Sequence, residues 1–262
     1  MSVNTHLVSL ASNLVLSDTE NLSISTSMNT LAVRLEGYFG SGIIKHFQFG
    51  SSIRGTILPR KADSNSDIDY MIVFNTLDGQ KKPQTYLDRL KTFAEKKYST
   101  SEIFQSHPTI VLSLNHIKFE LVPAIDNYGY QIPSPASSWT EWTSTNPLEA
   151  NKQIIEKNKA ENNQIKPLVR LVKYWNATQG HPYTSFSLEQ YIVNKYFWSC
   201  TSLKDYFYAF WSDFNCPYDT ANYIKEKVER AKNMLRKQKN MKMMTCQTVQ
   251  KLKSKKLYHR YD

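Results

Sequence analysis

The sequence predicts an α/β chain (α+β in its order of elements) with two lobes, an N-terminal lobe built on a mixed sheet and a C-terminal helical lobe, with a cleft between them. Three observations lead there. Short β-branched and aliphatic runs cluster before residue 125, and helical periodicity takes over after Leu148. Between the two textures lies a stretch broken by Gly129, Pro133, Pro135 and Pro147 and rich in Ser and Thr. The domain reading follows: residues 1–125 form the sheet lobe with an N-terminal helix, 126–147 a connector, and 148–262 the helical lobe with a basic C-terminal region.

Each element has its own signal. Residues 1–20 are polar and poorly patterned. Ile24, Met28, Leu31, Leu35 and Tyr38 fall at alternating spacings of four and three, an amphipathic helix that Gly40 and Gly42 end. Ile43 to Phe49 reads as a strand running into Gly50-Ser51, and Ser52 to Ser66 as a polar loop with Gly55 and Pro59 as breakers. Asp67 to Phe74 is the next strand. Pro83 opens a helix with Tyr86, Leu87, Leu90, Phe93 and Ala94 on one face. Thr109–Leu114 and Ile117–Val122 read as two strands joined by a tight turn at Asn115-His116. From Leu148 to about Lys239 every segment reads as helix, including the aromatic run Tyr206 to Trp211, expected as helix core.

Composition narrows the function classes. The chain has 262 residues, 40% hydrophobic and 21% charged, which fits a globular protein and not a disordered one. No apolar run is long enough to span a membrane, and the start Met1 to His6 lacks a signal-peptide pattern, so a cytoplasmic location and no membrane partner are expected. Cys200, Cys216 and Cys246 are widely spaced, with no CxxC, and are expected as reduced thiols. His46, His107, His116 and His181 show no metal-ligand spacing. A formal net charge of +10 favours polyanionic partners, including nucleotides and nucleic acid.

The chemistry concentrates in Ser66-Asp67-Ile68-Asp69. Alternate side chains of a strand share a face, so Asp67 and Asp69 project together and repel unless a cation lies between them. The nearby Gly50-Ser51-Ser52 turn can bring backbone N–H groups to a phosphate, with Ser52 as a second polar group. Glu120 is the third acid. Phe119 and Leu121 are expected to face the core, which turns Glu120 towards the two aspartates if the strands pair. Three carboxylates on one sheet face suit a hard, oxygen-loving ion, Mg²⁺ with Mn²⁺ as the alternative.

These segments carry a resemblance. Phe49 to Thr56, Ser66 to Asp69 and Glu120 to Ala124 look like the signature of DNA polymerase beta-like nucleotidyltransferases. Ile132-Pro133 with Trp142 to Pro147, Leu168 to Asn176, and Ser185-Phe186-Ser187-Leu188-Glu189 resemble more narrowly the bacterial cGAS/DncV-like nucleotidyltransferases (CD-NTases) of CBASS anti-phage defence. The resemblance runs from about Phe47 to about Trp198. It departs at Glu120, where the family usually carries Asp; the longer side chain remains an oxygen ligand.

The resemblance implies a bilobed nucleotidyltransferase. Asp67, Asp69 and Glu120 would be catalytic and metal-binding, and Gly50, Ser51, Ser52, Lys173, Ser185 and Phe186 nucleotide-binding. Leu168, Leu171, Val172 and Trp175 form a buried helical stripe, beside which Lys166, Arg170 and Lys173 make a basic edge. Lys173 is then a triphosphate contact or part of a solvated face. Ser185 is a phosphate donor, an N-cap or both, and Phe186 a base platform or a core aromatic. The implied reaction joins nucleoside triphosphates, ATP among them, with loss of pyrophosphate, and makes a cyclic di- or oligonucleotide that activates an effector protein encoded nearby. Two other functions fit the same residues: an RNA or tRNA terminal nucleotidyltransferase, and a catalytically weakened nucleotide or RNA sensor. The basic residues Lys225, Lys227, Arg230, Lys232, Arg236, Lys237, Lys239 and Lys242 read as a solvated helix face or as a site for RNA, DNA or a regulatory protein.

Overall fold

The structure, a computed structural model, describes residues 2–135 and 141–238. It divides into two compact units, one up to Lys195 and one from Tyr196 onwards. Lys239, Lys242 and Cys246 lie outside the described residues.

The first unit opens with α1 (Val3–Asn13) and α2 (Asp18–Phe39). No strong apolar pattern announces α1 because only Leu7 and Ala11 are buried on it. A capping box at Ser17 and Glu20 starts α2 a turn before its apolar stripe begins: Glu20 N–H donates to Ser17 Oγ and Ser17 N–H to Glu20 Oε2. There follow β1 (Ile43–Phe49), a short α3 (Gly50–Arg54), β2 (Asp67–Phe74) and α4 (Pro83–Lys97). Next come β3 (Glu102–Ser106), β4 (Thr109–Ser113) and β5 (Lys118–Asp126). The stretch set apart by composition as a connector contains β6 (Tyr130–Pro133) and β7 (Trp142–Ser144), which extend the sheet from β5. Three helices complete the unit: α5 (Pro147–Ala160), α6 (Ile165–Thr178) and α7 (Ser185–Asn194).

The sheet is mixed, as expected. Its main order is β1-β2-β5-β4-β3, with β6 on β5 and β7 on β6. β2 and β5 run parallel, and the other pairs are antiparallel. β3 was not evident in the sequence. It is an edge strand with one neighbour and alternating exposed positions, so burial left little apolar signature on it.

Side-chain parity then divides the sheet into two faces. Ile68, Tyr70, Ile72 and Phe74 of β2, with Phe119 and Leu121 of β5, join Leu31 and Leu35 of α2 and Leu87, Leu90 and Phe93 of α4 in one core. Each fully buried side chain of this size contributes about 1.5–3 kcal/mol. The alternate residues point away from α2 and α4. At one end of that second face they are apolar, with Met71, Val73 and Ala124 packed by Phe47, Phe49, Tyr130 and Ile132. At the other end they are Asp67, Asp69 and Glu120.

The second unit contains α8 (Leu203–Asp213) and a helical run over residues 222–238. Within the aromatic run, Tyr206, Phe210 and Trp211 are buried. Lys232 is also buried, bonded to Asn215 at 3.1 Å and paired with Glu229 at 3.8 Å, so the basic residues here do not all share one solvated face. Among the described residues, no helix is long and apolar enough to cross a membrane.

Candidate active site

Strand pairing assembles the acids. In the parallel ladder Asp69 stands opposite Glu120 and Asp67 opposite Lys118. Neighbouring strands lie about 4.8 Å apart, so the three carboxyls crowd onto one patch. Asp67, Asp69 and Glu120 line a cavity of about 620 Å³ within the first unit, in the size range of small-molecule sites. Ser51 and Arg54 of α3 border it. Lys173 of α6, the segment 181–184 and Ser185 and Phe186 of α7 form the facing wall.

The three acids burden one another electrostatically. Burial first, then the charges of Asp67 and Glu120, push the Asp69 carboxyl up to about 8. Burial, the Asp67 charge and a hydrogen bond donated to Asp67 push Glu120 up to about 7 against the pull of Lys118. Asp67 is raised as well, chiefly by burial, with Lys173 and Lys118 opposing. Carboxyls that hold protons this far above their usual range lack compensating positive charge. Their oxygen donors fit Mg²⁺ or Mn²⁺. Among the described residues no three acidic, His or Cys side chains are already closed around a metal-sized point, and Asp67 and Glu120 instead share a hydrogen bond.

The nucleotide-binding candidates fall in several places. Gly50 begins α3 with φ +75° directly against the Asp69 carboxylate, and Ser51 follows it on the cavity wall. Ser52 donates to Phe49 O at 3.2 Å and accepts from Gln48 Nε2 at 2.8 Å, and it is not among the cavity-lining residues. Lys173 is only 5% exposed, on the wall facing Asp67 and Asp69, so it is no solvated-face lysine. Burial lowers its pKa, and Glu189, Asp67 and Asp69 oppose that shift. Arg170, read as part of the same basic edge, donates instead to the carbonyls of Ala11 (3.2 Å) and Gly55 (3.0 Å), tying α1 and the end of α3 to α6.

Ser185 lines the cavity as the first residue of α7, but Thr184 is the N-cap: its hydroxyl accepts from Ser187 N–H at 3.2 Å. Phe186 is 52% exposed at the cavity rim, with the Arg54 guanidinium 5.7 Å from its ring centre, which removes the core-aromatic reading.

Several residues of the site carry no role in the sequence reading. Glu189 is 1% exposed and binds Arg54 Nε at 2.6 Å, Thr56 Oγ1 at 2.5 Å and Lys173 Nζ at 3.6 Å. Its signal was present: a Glu between Leu188 and Ile192 on the buried stripe of α7 needs buried partners. Asn176 is fully buried and grips Tyr183, donating Nδ2 to its carbonyl (2.8 Å) and accepting its N–H (3.1 Å). His181 pairs with Asp63 at 3.2 Å at the cavity wall. Three further histidines serve ordinary bonds: His46 to Tyr70 and Glu36, His107 to the Ser134 carbonyl and His116 to Ser27.

Comparison with known proteins places the chain in a family and a fold. The family described as Second Messenger Oligonucleotide or Dinucleotide Synthetase domain (SMODS) matches residues 1–158. The cyclic AMP-AMP-AMP synthase of an Acinetobacter species is 29% identical over 184 residues, covering 67% of this chain and 52% of that protein. The chain thus spans about half the length of the curated relatives it matches. Among solved structures, Elizabethkingia meningoseptica CdnE cyclic dinucleotide synthase with GTP and Apcpp superposes with a TM-score of 0.66 at 15% identity, covering 90% of this chain and 99% of that one. Escherichia coli MS115-1 CdnC with ATP gives 0.62 at 18% identity, covering 80% and 71%. At such identities these two show the shared fold, that of the CD-NTases. The family match covers more than half of the chain and runs through all three acids, so this chain belongs to the Second Messenger Oligonucleotide or Dinucleotide Synthetase family.

Proposed function

We propose that the chain is a nucleotidyltransferase that joins nucleoside triphosphates, releases pyrophosphate and closes a cyclic di- or oligonucleotide for anti-phage signalling. The observation that carries this reading is the β2–β5 register. It places Glu120 beside Asp69, with Asp67 on the same face, in a nucleotide-sized cavity whose facing wall holds Lys173, Ser185 and Phe186. Asp67, Asp69 and Glu120 would hold Mg²⁺, or Mn²⁺ in its place. Bound there, such a cation supplies activation of an attacking hydroxyl and neutralisation of the departing pyrophosphate.

The chain's own residues do the positioning. Ser51, in the turn that Gly50 begins, receives the phosphates from one side, and the Lys173 ammonium and Ser185 hydroxyl from the other. Phe186 offers its open ring face to a base. An acceptor ribose hydroxyl then attacks the donor α-phosphorus in line, forming the new P–O bond as the α–β anhydride bond breaks. Holding both reactants in one walled cavity provides most of the acceleration. In the cell, the product would act on an effector protein encoded nearby.

Incubation with the four nucleoside triphosphates and Mg²⁺ or Mn²⁺ tests this. A phosphatase-resistant product that disappears with Asp69→Ala is the expected result. No product with either metal, or activity surviving that substitution, would overturn it. Growth of a labelled RNA without any small product would make the chain a terminal nucleotidyltransferase instead.

A further inference from the structure

The buried carboxylate of Glu189 takes no part in the chemistry above, yet it touches every element that the triphosphate would meet. Oε2 accepts from Arg54 Nε at 2.6 Å, and Arg54 ends the helix that begins with Gly50 and Ser51. Oε1 accepts from Thr56 Oγ1 at 2.5 Å and lies 3.6 Å from Lys173 Nζ on α6. Glu189 itself sits on α7, one turn beyond Ser185 and on the same side of that helix.

Three segments of the chain, residues 54–56, α6 and α7, therefore meet at one side chain. Arg54, Lys173 and Glu189 are 6%, 5% and 1% exposed, so their bonds are not exchanged with water. A carboxylate this deep carries a desolvation cost that its partners must offset, and here two short hydrogen bonds and the Lys173 charge do so. Lys173 is the outlying member. It is too far from Oε1 for a short hydrogen bond, and it borders the cavity that Asp67 and Asp69 line. A charge held but not fully engaged can turn to an arriving phosphate without losing its counter-charge.

We propose that Glu189 is a positioning residue for the donor triphosphate, fixing the Gly50-Ser51 segment through Arg54 and Thr56 while holding Lys173 against the cavity in register with Ser185. This rests on the nucleotidyltransferase reading of the same cavity and assigns the residue that sets its phosphate-side geometry.

The test measures equilibrium binding of a fluorescent ATP analogue, with product formation followed separately, in the full chain and in Glu189→Gln, Lys173→Ala and the double variant. Glu189→Gln is expected to weaken analogue binding about tenfold or more well below its melting temperature. In the double variant the two losses are expected to fall short of additive, because one acts through the other. A merely structural Glu189 predicts a lower melting temperature with unchanged affinity, or losses that add fully, and either result would overturn the proposal. If Glu189→Gln does not fold, Thr56→Val removes one bond to Oε1 and leaves both ion pairs; a severalfold loss of analogue affinity is then expected, and unchanged affinity refutes the role. A wild-type chain that binds no triphosphate overturns the functional reading and this inference together. Binding that Glu189→Gln leaves unchanged overturns this inference alone.

Discussion

The carboxylate of Asp69 packs against the Cα of Gly50, leaving no room for a side chain there. A Cβ at Gly50 would stand 2.6 Å from Asp69 Cγ and 2.9 Å from its Cβ. Gly50 also has φ +75°, a conformation that L side chains rarely adopt. Gly50→Ala is therefore expected to displace Asp69 or shift the start of α3. Stability falls by about 1–3 kcal/mol, and nucleotidyl transfer drops about 100-fold or more. Thermal melting and initial rates check both, and wild-type activity in Gly50→Ala would contradict the packing argument.

The raised carboxyls set a pH dependence of definite sign. Asp69 at about 8 and Glu120 at about 7 hold protons in the folded chain that the unfolded chain has already released near pH 4. The folded state binds more protons across that interval, so stability of the metal-free protein falls as pH rises from about 4 to about 8. Asp69→Asn should flatten this decline and raise the melting temperature at about pH 8. Divalent cations compete with the same protons, so Mg²⁺ affinity should climb with pH over this range and binding should release protons. Calorimetry in two buffers of different ionisation enthalpy reads that release. Equal Mg²⁺ affinity at about pH 5.5 and about pH 8.5 would refute the assignment.

Asn176 controls the loop before α7. Asn176→Ala removes its two hydrogen bonds to the partly buried backbone of Tyr183. The cost is about 1–3 kcal/mol. The loosened segment carries Ser185, so KM for the triphosphate should rise severalfold with a smaller change in kcat. An unchanged KM would show that this loop does not position the substrate.

Phe186 separates stacking from stability. Half-exposed at the rim, it gives the fold little, and Phe186→Ala should shift stability by no more than about 0.5 kcal/mol. Loss of a base-stacking face should raise KM about fivefold or more, with Phe186→Tyr restoring it. A fall in melting temperature without a change in KM would return Phe186 to a packing role.

Local pattern was legible wherever one periodicity dominated. The β1 range Ile43–Phe49, the β2 range Asp67–Phe74 and the Pro83 start of α4 follow from alternation, from burial and from proline's fixed φ. Weakly buried or edge elements left no such mark: α1 buries one short stripe, and β3 pairs on one side only. The connector residues gained strands from pairing that Pro and Gly content obscures, because β6 lies beside the buried β5.

For the candidate site the division is sharper. Residue order alone shows that Asp67 and Asp69 share a face, because a strand has period two, and that Phe119 and Leu121 turn Glu120 away from the core. The folded arrangement adds that Asp69 and Glu120 stand side by side, that Ser52 turns aside to Gln48, and that Thr184 rather than Ser185 caps α7. The gathering of Arg54, Thr56 and Lys173 around Glu189 is likewise visible only in three dimensions. Periodicity fixes a side chain's direction relative to its own backbone. Partners more than a hundred residues away are chosen by register and burial, where an unpaired charge costs too much to leave alone.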